Sequence, residues 1–452
     1  MNTVYTFTLV FFLTLLLATG CEDFLDIGTP RTELLRSSVF SEVTTANAAV
    51  VELYNSMRQG FVSGYPSGLS ITASLSSDEL LLFEPYADRI DVSENEIMPD
   101  NKHVTELWGN MYHLIYKANA IIEGLSESDI EQIEKDRLTG EALFVRAFTY
   151  FHLVNLWGDV PLVLSTDYQV NNRLTRAPVV QVNEQIVSDL LKAQLLLQEE
   201  YDGERVRANR GAATALLARM YLYLGQWSKA EEEATKVINN ELYALEDDLT
   251  HVFQKSSPEA ILQLWSSIYP LEYIGFLFHE AVGGPLYVAL RPEFLGDLSP
   301  DDYRYTNWVK TMEVSGVTFY GVDKYKNSAV PPAEYSTVLR LAELYLTRAE
   351  ARTHQDKLSE ASEDLNVIRE RAGLTPEFPA NKEELLEAIY LERKHEFFGE
   401  LGHRWFDLKR TGRADAVLSP LKSLWDKEDV LFPIPEIQIV SNPDITQNPL
   451  GS

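Results

Sequence analysis

The sequence contains very little cysteine and comparatively little positive charge. Its 452 residues include a single cysteine, Cys21, so no disulfide forms within one chain and no cysteine-based metal site is available. Lys and Arg number 39 against 68 Asp and Glu, which gives a formal net charge of −29. Nucleic-acid backbones and anionic lipid surfaces are bound through clustered Lys and Arg. The charge therefore argues against both classes of partner and favours a neutral or cationic one.

The sequence also lacks the short motifs of several common enzyme chemistries. It has no Gly-x-Ser-x-Gly elbow, no phosphate loop ending in Gly-Lys, no Gly-x-Gly-x-x-Gly and no His-Glu-x-x-His. After residue 20, no stretch reaches the roughly 20 apolar residues that a membrane-spanning helix needs. The sequence therefore predicts a protein without a cofactor and without catalytic activity.

The first twenty residues have the pattern of a lipoprotein signal peptide. Residues 1–20 contain no charged side chain, and Val4–Ala18 is nearly all apolar, as in the core of a signal peptide. The small residues of Leu17-Ala18-Thr19-Gly20 precede Cys21, an arrangement that resembles a bacterial lipobox. We expect cleavage before Cys21, lipid on its sulfur and a membrane-tethered body of residues 21–452. The alternative is a general secretory peptide with a chance cysteine.

Paired amphipathic helices recur in the body of the chain. Residues 211–224 carry apolar side chains at helical spacing, Gly225 breaks the pattern, and a second amphipathic stretch follows. Ser228 and Glu231 have the spacing of a capping box for that second helix. The helix–glycine–helix arrangement is typical of a tetratricopeptide unit.

A second copy of this unit runs from about 338 to 372. Asp356 replaces the turn glycine, and Gly373 is expected to end the second helix as its C-cap. One such repeat cannot bury its own apolar face, so at least three units are expected to stack.

The resulting fold class is mainly α, with a tetratricopeptide-like helical-repeat scaffold and an irregular, loop-rich subdomain that contains short β-strands. The helical repeats are expected at about 40–58, 104–240 and 337–410. The irregular regions, expected to bind the ligand, lie at about 60–103 and 250–336. Short β-like runs occur at Ala260–Trp265 and Val314–Tyr320. Long irregular segments within a compact chain are usually functional.

Aromatic residues are concentrated in the second irregular region. Residues 265–335 hold 14 aromatics, whereas aromatics make up 11% of the whole chain. Packing accounts for part of this excess, but exposed rings on loops also stack on the apolar face of a sugar. The candidate ligand-binding residues in the two irregular regions are Tyr65, Phe83, Tyr86, Tyr269, Tyr273, Tyr303 and Trp308.

Three separated segments resemble conserved blocks of one protein family. They are Phe151–Leu162 with its Trp-Gly-Asp-Val-Pro-Leu ending, Glu392–Arg410, and the carboxyl-terminal stretch that begins Phe432-Pro433-Ile434-Pro435. Together with the lipobox and the acidic residues of Glu22–Asp26, they resemble the SusD/RagB family of Bacteroidetes nutrient-binding lipoproteins. The resemblance covers essentially the whole mature chain, although the ending Leu450-Gly451-Ser452 departs from the usual Gly-Tyr.

The resemblance implies a glycan-binding lipoprotein of the outer membrane. Such a protein delivers its glycan, uncleaved, to a SusC-like TonB-dependent transporter, with the repeats packed against the transporter and the irregular half carrying the ligand. The acidic residues after Cys21 resemble the surface-export signal of these lipoproteins and imply that the body faces the cell exterior. The cargo stays open, because RagB-like members are associated with peptides.

Other functions are open on the residues themselves. A cationic peptide would suit the charge of −29, and a repeat scaffold with no small ligand is a further alternative. A glycosidase would need two carboxylates about 5–10 Å apart. However, acidic and basic side chains alternate in the last helices, which favours a buried ion-pair network that fixes those helices. The alternating residues are Glu392, Arg393, Glu396, Arg404, Asp407 and Arg410.

Metal binding is the remaining class of site. His395 and His403 have no cysteine or carboxylate at ligand spacing, so we expect them to be structural. Asp297, Asp301 and Asp302 could hold a cation, but a surface turn is the favoured interpretation. We therefore predict no metal site.

Overall fold

The protein is mainly helical in its computed structural model. The structure describes residues 38–61, 68–83, 86–268, 270, 272, 276, 285–326 and 330–450. The helices are α1 (Val43–Phe61), α2 (Leu69–Ser76), α3 (Ala87–Glu94), α4 (Lys102–Ser126), α5 (Gln132–Trp157), α6 (Tyr168–Asn171), α7 (Val179–Leu196), α8 (Arg210–Tyr223), α9 (Trp227–Ile238), α10 (Pro292–Asp297), α11 (Tyr303–Trp308), α12 (Leu341–His354), α13 (Leu358–Arg371), α14 (Lys382–Phe397), α15 (His403–Arg410), α16 (Ala414–Leu418) and α17 (Glu436–Ser441), with a 3-10 turn at Lys427–Val430.

Short strands make up the rest of the regular structure. They are β1 (Leu80–Leu82), β2 (Val160–Pro161), β3 (Arg176–Ala177), β4 (Ala260–Leu264), β5 (Val288–Leu290), β6 (Val309–Val314), β7 (Val317–Val322) and β8 (Ser336–Arg340). The prediction of a mainly α protein with short strands is confirmed. The region predicted to be irregular at 60–103 nevertheless contains α2 and α3. These helices were not predicted because a helix of eight residues is too short to show a sustained period of apolar residues.

The longer helices form a stacked array. Along the chain α4 packs on α5, α5 on α7, α7 on α8 and α8 on α9. Helix α9 then packs on α12, although about a hundred residues separate them, and α12 packs on α13. The second tetratricopeptide unit, α12–α13, therefore stacks directly on the first unit, α8–α9. Repeats that contact their neighbours in this way bury a continuous core.

The turns of the two units confirm the predicted equivalence. Gly225 has φ +66°, and Asp356 occupies the same left-handed conformation at φ +60°. Gly373 has φ +76°, and the amide of Leu374 donates to the carbonyl of Arg369 at 2.9 Å, which ends α13 as predicted.

The predicted capping box is wrong. Helix α9 begins at Trp227, and no side chain caps its start. The Glu231 carboxylate instead accepts hydrogen bonds from Arg352 at 3.1 Å, Gln355 at 2.8 Å and Lys357 at 2.5 Å. All three donors belong to the second unit, so tertiary pairing between units has replaced the local cap.

The irregular regions form their own paired strands. Strand β4 pairs antiparallel with β8, which leads directly into α12. Strand β1 pairs antiparallel with β5, with Leu80 opposite Leu290. The strand expected at Ala260–Trp265 is therefore confirmed as β4, and the loop-rich part is attached to the repeats through β8.

The strand expected at Val314–Tyr320 is wrong as a single run. Ser315 at φ +53° and Gly316 at φ +78° form a tight turn within it, and β6 and β7 pair across this turn as a hairpin. Two consecutive left-handed residues match the twist of a two-residue hairpin.

A buried layer of charged residues joins the loop-rich part to the helices. Arg304 of α11 pairs with Asp302 at 2.7 Å, Glu392 at 2.7 Å and Glu396 at 3.1 Å. Arg340 at the end of β8 pairs with Glu396 at 2.6 Å. The layer contains five cations and five carboxylates, namely Arg304, Lys324, Arg340, Arg369 and Arg371 with Glu259, Asp302, Glu392, Glu396 and Glu400.

The surrounding cations set the protonation state of Glu396, the central carboxylate of this layer. Burial by itself raises the pKa of Glu396, but the cationic side chains of Arg371, Arg340 and Arg304 together hold that pKa well below its usual range. Glu396 is therefore ionised, and the surrounding cations compensate its charge.

The ion pairs expected in the last helices are also present. Arg393 pairs with Asp407 at 2.7 Å, and Arg410 pairs with the same carboxylate at 2.7 Å. Arg404 reaches Asp78, at the start of the loop-rich part, at 2.7 Å. The predicted buried network is confirmed, and it extends beyond the helices that suggested it.

The carboxyl-terminal segment closes the end of α5. The indole N–H of Trp157 donates to the carbonyl of Pro433 at 3.0 Å. The side-chain amide of Asn448 donates to the carbonyls of Trp157 at 2.9 Å and Phe432 at 2.8 Å. Residues more than 270 positions later in the chain therefore satisfy the polar groups at the end of this helix.

In the part of the chain that the structure describes, no helix is long and apolar enough to span a membrane. The predicted signal peptide, residues 1–20, and the predicted lipid site at Cys21 lie outside the described residues.

Candidate functional site

The structure separates the seven predicted ligand-binding residues into three groups. Tyr65, Tyr269 and Tyr273 lie outside the described residues. Phe83, Tyr86 and Tyr303 have exposed side chains, whereas Trp308 is completely buried.

Trp308 is a core residue, so its prediction as a ligand contact is wrong. Its indole N–H donates to the carbonyl of Leu249 at 2.9 Å. Its ring lies 5.7 Å from that of Phe253 and 6.4 Å from that of Phe398, and the ammonium of Lys324 is 4.5 Å from its centre. With its ring enclosed, Trp308 anchors the end of α11 and presents no surface to a ligand.

Phe83 has an exposed side chain that contacts a partly buried aromatic ring. Its amide donates to the carbonyl of Tyr287 at 2.8 Å, which extends the β1–β5 pairing by one step. Its ring meets that of Phe319 edge to face at 5.0 Å and 76°. Two paired strands and the β6–β7 hairpin therefore fix the position of this aromatic pair.

Tyr86 follows Phe83 by three positions and stands at the start of α3. It is 64% exposed, and Ile90, one turn later on the same face, is 44% exposed. We call Phe83, Tyr86, Ile90 and Phe319 the aromatic patch. Isolated exposed apolar residues are ordinary on protein surfaces, whereas apolar residues that lie together mark an interaction site. Within this group the rings of Phe83 and Phe319 are in contact.

The hairpin carries a second aromatic pair. Successive residues of a strand point to opposite faces, so Phe319 and Tyr320 project to opposite sides of β7. The ring of Tyr320 lies 6.4 Å from that of Tyr305. Together with residues 295–300 these tyrosines line an open cleft of about 510 Å³. The hairpin thus presents an aromatic ring on each of its faces.

Tyr303 occupies a different position. Its amide donates to the carbonyl of Ala372 at 2.9 Å, and a Cβ built on Gly373 would lie 2.6 Å from its ring. One face of Tyr303 therefore packs on the end of α13. The structure does not bring Tyr303 into the aromatic patch. Instead, Tyr303 contacts the second unit and so connects it to the loop-rich part.

Three aromatic residues at or near the surface were missed from the sequence, namely the partly buried Phe319 and Tyr320 and the exposed Trp265. Phe319 and Tyr320 follow the Ser315-Gly316 turn, and a two-residue turn of this kind between apolar runs is the signal that could have found the hairpin. Trp265, just past β4, is 54% exposed, but in sequence it reads as part of the buried strand.

The acidic residues behind the aromatic patch belong to the fold. Asp78 pairs with Arg404 and Lys394, and although burial opposes ionisation, these cations lower its pKa to about 2. Burial raises the pKa of the neighbouring Glu79 to about 7, while Ser74 donates to its carboxylate at 2.5 Å. The two adjacent carboxyls thus have opposite shifts, which reflect the presence or absence of a direct cationic partner.

The carboxylates considered for catalysis do not face solvent. Glu392, Glu396 and Asp407 are each at most 6% exposed, and arginine side chains donate to all three. A glycosidic bond could not reach them without disrupting these ion pairs.

The histidines and acidic loop residues considered for metal binding have protein partners. Burial lowers the pKa of His395 and of His403 well below the usual range, and His403 stacks on Phe397 at 4.8 Å. Asp297 pairs with Lys394 at 2.6 Å. Among the described residues, no group of three or more His, Cys, Asp or Glu could hold a metal ion.

Two family models match most of this chain. One, described as starch-binding and associating with the outer membrane, matches residues 23–222, and the other, described as the SusD family, matches residues 299–450. Among curated proteins, SusD-like protein P2 of Formosa agariphila is 27% identical and covers 98% of this chain and 99% of its own length. SusD-like protein P25 of the same organism is 26% identical and covers 95% of each.

Solved structures share the fold. A SusD superfamily protein from Bacteroides vulgatus aligns with a TM-score of 0.79 at 22% identity, covering 90% of this chain and 99% of that one. A laminarin-binding SusD-like protein aligns with a TM-score of 0.75 at 24% identity, covering 90% and 99%. The same architecture is therefore found throughout these proteins.

Proposed function

We propose, from the premise that this chain belongs to the SusD/RagB family, that it captures a glycan at the aromatic patch and passes it uncleaved to a SusC-like TonB-dependent transporter. Proteins of this family bind carbohydrate and associate with the outer membrane. The observation that carries the proposal is the Phe83–Phe319 ring pair, held by two strands and a hairpin, in which Phe83 is exposed. The exposed Tyr86 follows Phe83 by three positions.

The geometry of the patch suits a sugar. The apolar C–H face of a pyranose stacks on an aromatic ring, and rings already held in place lose little conformational entropy on binding. The backbone pairing of Phe83 and the edge-to-face contact with Phe319 supply that preorganisation. One protein with the same fold binds laminarin, which supports a neutral polysaccharide as the class of cargo.

Affinity electrophoresis tests the glycan directly. The full chain, in a detergent without a sugar headgroup, is run through gels cast with laminarin, starch and other neutral polysaccharides. We expect one glycan to retard the chain and the Phe83→Ala/Tyr86→Ala variant to bind it at least about tenfold more weakly. Tyr116→Ala, which removes a 51% exposed ring on α4, is the matched control and should leave retardation unchanged.

Two results would contradict this proposal. Retardation that is equal in the wild type and in the Phe83→Ala/Tyr86→Ala variant would remove the aromatic patch from binding. Reducing sugar released over time by the purified chain would show a glycosidase instead of a carrier.

Attachment and partner form the second part of the proposal. Lipid on Cys21 would hold the body at the outer membrane, facing the exterior, and the helical repeats would pack against the transporter. The match to a model described as associating with the outer membrane supports this placement. Mass spectrometry of the amino-terminal peptide should show a lipidated Cys21, and crosslinking in intact cells should join the repeats to a TonB-dependent transporter.

A peptide cargo is the second candidate, because the net charge of −29 favours a cationic ligand. Binding of a cationic peptide should weaken steeply between about 0.05 and 0.5 M salt, whereas stacking of a neutral glycan should change little. A salt titration of any ligand found therefore separates the two cargos.

A further inference from the structure

A second cleft lies where the carboxyl-terminal helix meets α4. Its volume is about 310 Å³, at the lower end of the ~300–1,000 Å³ range of small-molecule sites. Helix α4 contributes aromatic side chains, strand β2 and the segment after α6 form one wall, and α17 forms the other. None of these elements contributes to the aromatic patch.

The floor of this cleft is aromatic. Tyr112 is half-buried, its ring lies 4.8 Å from that of Trp108, and its hydroxyl donates to the carbonyl of Pro161 at 2.8 Å. The hydrogen bond and the ring contact hold the tyrosine at a fixed angle, with part of its ring facing the cleft.

The walls are rich in neutral hydrogen-bonding groups. The side-chain amides of Asn171 and Asn442 donate to backbone carbonyls at 2.8 Å and 2.9 Å, which fixes both side chains in the wall. Asn172 and Gln438 also line the cleft, and the structure gives their amides no hydrogen-bond partner among the described residues. Two side-chain amides that are held by hydrogen bonds and two that are free to bind a ligand therefore line the same cleft.

The lining also carries no charged side chain among the described residues, in a chain with 39 basic and 68 acidic residues. A charged ligand would find no counter-ion here. A ligand that combines an apolar face with several uncharged donors and acceptors would find an aromatic floor and amide walls, and that is the chemistry of a neutral sugar.

We propose that this cleft, formed by Tyr112, Asn171, Asn172, Gln438 and Asn442, is a second carbohydrate-binding site that takes one or two neutral sugar units. It goes beyond the function proposed above, since it shares no residue with the aromatic patch and binds independently of it. A chain with two such sites holds a polysaccharide at two points, which raises the effective concentration at each.

Saturation-transfer NMR with small sugars tests the site. The probes are the methyl glycosides of glucose, galactose, mannose and N-acetylglucosamine, added to the full chain in a detergent without a sugar headgroup. We expect at least one glycoside to receive saturation from the wild type and to keep receiving it from the Phe83→Ala/Tyr86→Ala variant. The Asn172→Ala/Gln438→Ala variant should bind it about tenfold more weakly.

The choice of variants keeps the result interpretable. Asn172 and Gln438 have no hydrogen-bond partner among the described residues, so their replacement should leave the melting temperature unchanged. Gln181→Ala/Gln198→Ala removes two exposed amides on and just after α7 and serves as the matched control, expected to bind like the wild type.

Two outcomes would overturn the second site. In one, no glycoside signal survives in the Phe83→Ala/Tyr86→Ala variant, so that all binding belongs to the aromatic patch. In the other, the signal survives but is unchanged in the Asn172→Ala/Gln438→Ala variant. Failure of the aromatic patch would instead leave the glycoside signal intact, so the two proposals fail separately.

Discussion

The repeat units and the loop-rich part differ in where their stabilising partners lie along the chain. Helices α8 and α9 are separated by a short turn and pack on each other. In the loop-rich part, Leu80 of β1 pairs with Leu290 of β5, and Arg304 pairs with Glu392, 88 positions later. Each helix pair of the repeats therefore follows from a local apolar pattern, whereas the strands of the loop-rich part depend on distant partners.

The kind of interaction differs as well. Small and apolar residues fill most contacts within the repeats, such as Ala218, Ala230 and Ala234, all completely buried, and ion pairs such as Arg348–Asp364 are fewer there. The loop-rich part is joined to the helices through ten charged side chains, nine of them buried and one, Arg369, half-buried. A buried ion pair adds little net stability, but removal of one member leaves an uncompensated charge. The junction should therefore be more sensitive to single substitutions than the repeats.

The largest expected effect comes from a break in this junction. Arg304→Leu leaves the buried carboxylate of Asp302 without its cationic partner and removes one cationic partner from each of Glu392 and Glu396. It should lower the free energy of unfolding by about 3–5 kcal/mol. Arg352→Leu, in the repeats, removes a side chain that is 18% exposed and should cost about 1 kcal/mol or less.

Urea denaturation measures both variants. Hydrogen exchange should in addition show that the amides of β6 and β7 lose protection in Arg304→Leu before those of α8 and α9 do. Equal losses in the two variants, or uniform loss of protection, would contradict the contrast between junction and repeats.

The second effect depends on pH and contrasts two neighbouring carboxyls of the loop-rich part. The folded pKa of Glu79, about 7, lies above its unfolded value of 4.5, so folding disfavours the ionised form and stability falls as pH rises through this window. Glu79→Gln removes the cost and should stabilise the protein by about 1–3 kcal/mol at pH 8, with no gain at pH 4.

Asp78 should behave in the opposite way. Its folded pKa of about 2 lies below the ordinary 3.8, so its ionised form contributes stability above pH 4, and that contribution disappears as pH falls through 2. Asp78→Asn should therefore lower the melting temperature at pH 8, where Glu79→Gln raises it. Changes of the same sign in the melting temperatures of the two variants at pH 8 would contradict the opposite pKa shifts of Asp78 and Glu79.

The smallest effect compares a glycine at the junction with one inside a repeat. Gly225→Ala strains a left-handed turn and should cost about 1 kcal/mol. Gly373→Ala has the same strain and also places Cβ against the ring of Tyr303, so it should cost about 1 kcal/mol more. Thermal melts of Gly373→Ala with and without Tyr303→Ala check this, because removal of the ring should abolish the difference from Gly225→Ala.

The same contrast explains what could be predicted from the sequence. The helix pairs, the left-handed turn at Asp356 and the C-cap at Gly373 follow from period and local geometry, and all three were found. Glu231 was assigned to a local cap because its partners in the second unit are more than a hundred positions away and invisible to a local pattern.

The candidate site shows more clearly what local sequence patterns cannot predict. Composition identifies a region rich in aromatics but does not distinguish an exposed ring from a buried one, so Phe83 and Tyr86 were chosen together with the core residue Trp308. The partner of Phe83 is Phe319, which a tight turn and a distant strand pairing bring into place. No local periodicity in the sequence predicts the contact between Phe83 and Phe319.

The closure of α5 by the carboxyl-terminal segment has a consequence in time. Protein synthesis proceeds from the amino terminus, so α5 leaves the ribosome long before Pro433 and Asn448 exist. Until then the indole N–H and the carbonyl of Trp157 must be satisfied by water or by transient partners. The array of helices can begin to fold during synthesis. Its end is covered only after residue 448 has left the ribosome, so the docking of the carboxyl-terminal segment is one of the last steps in the folding of the chain.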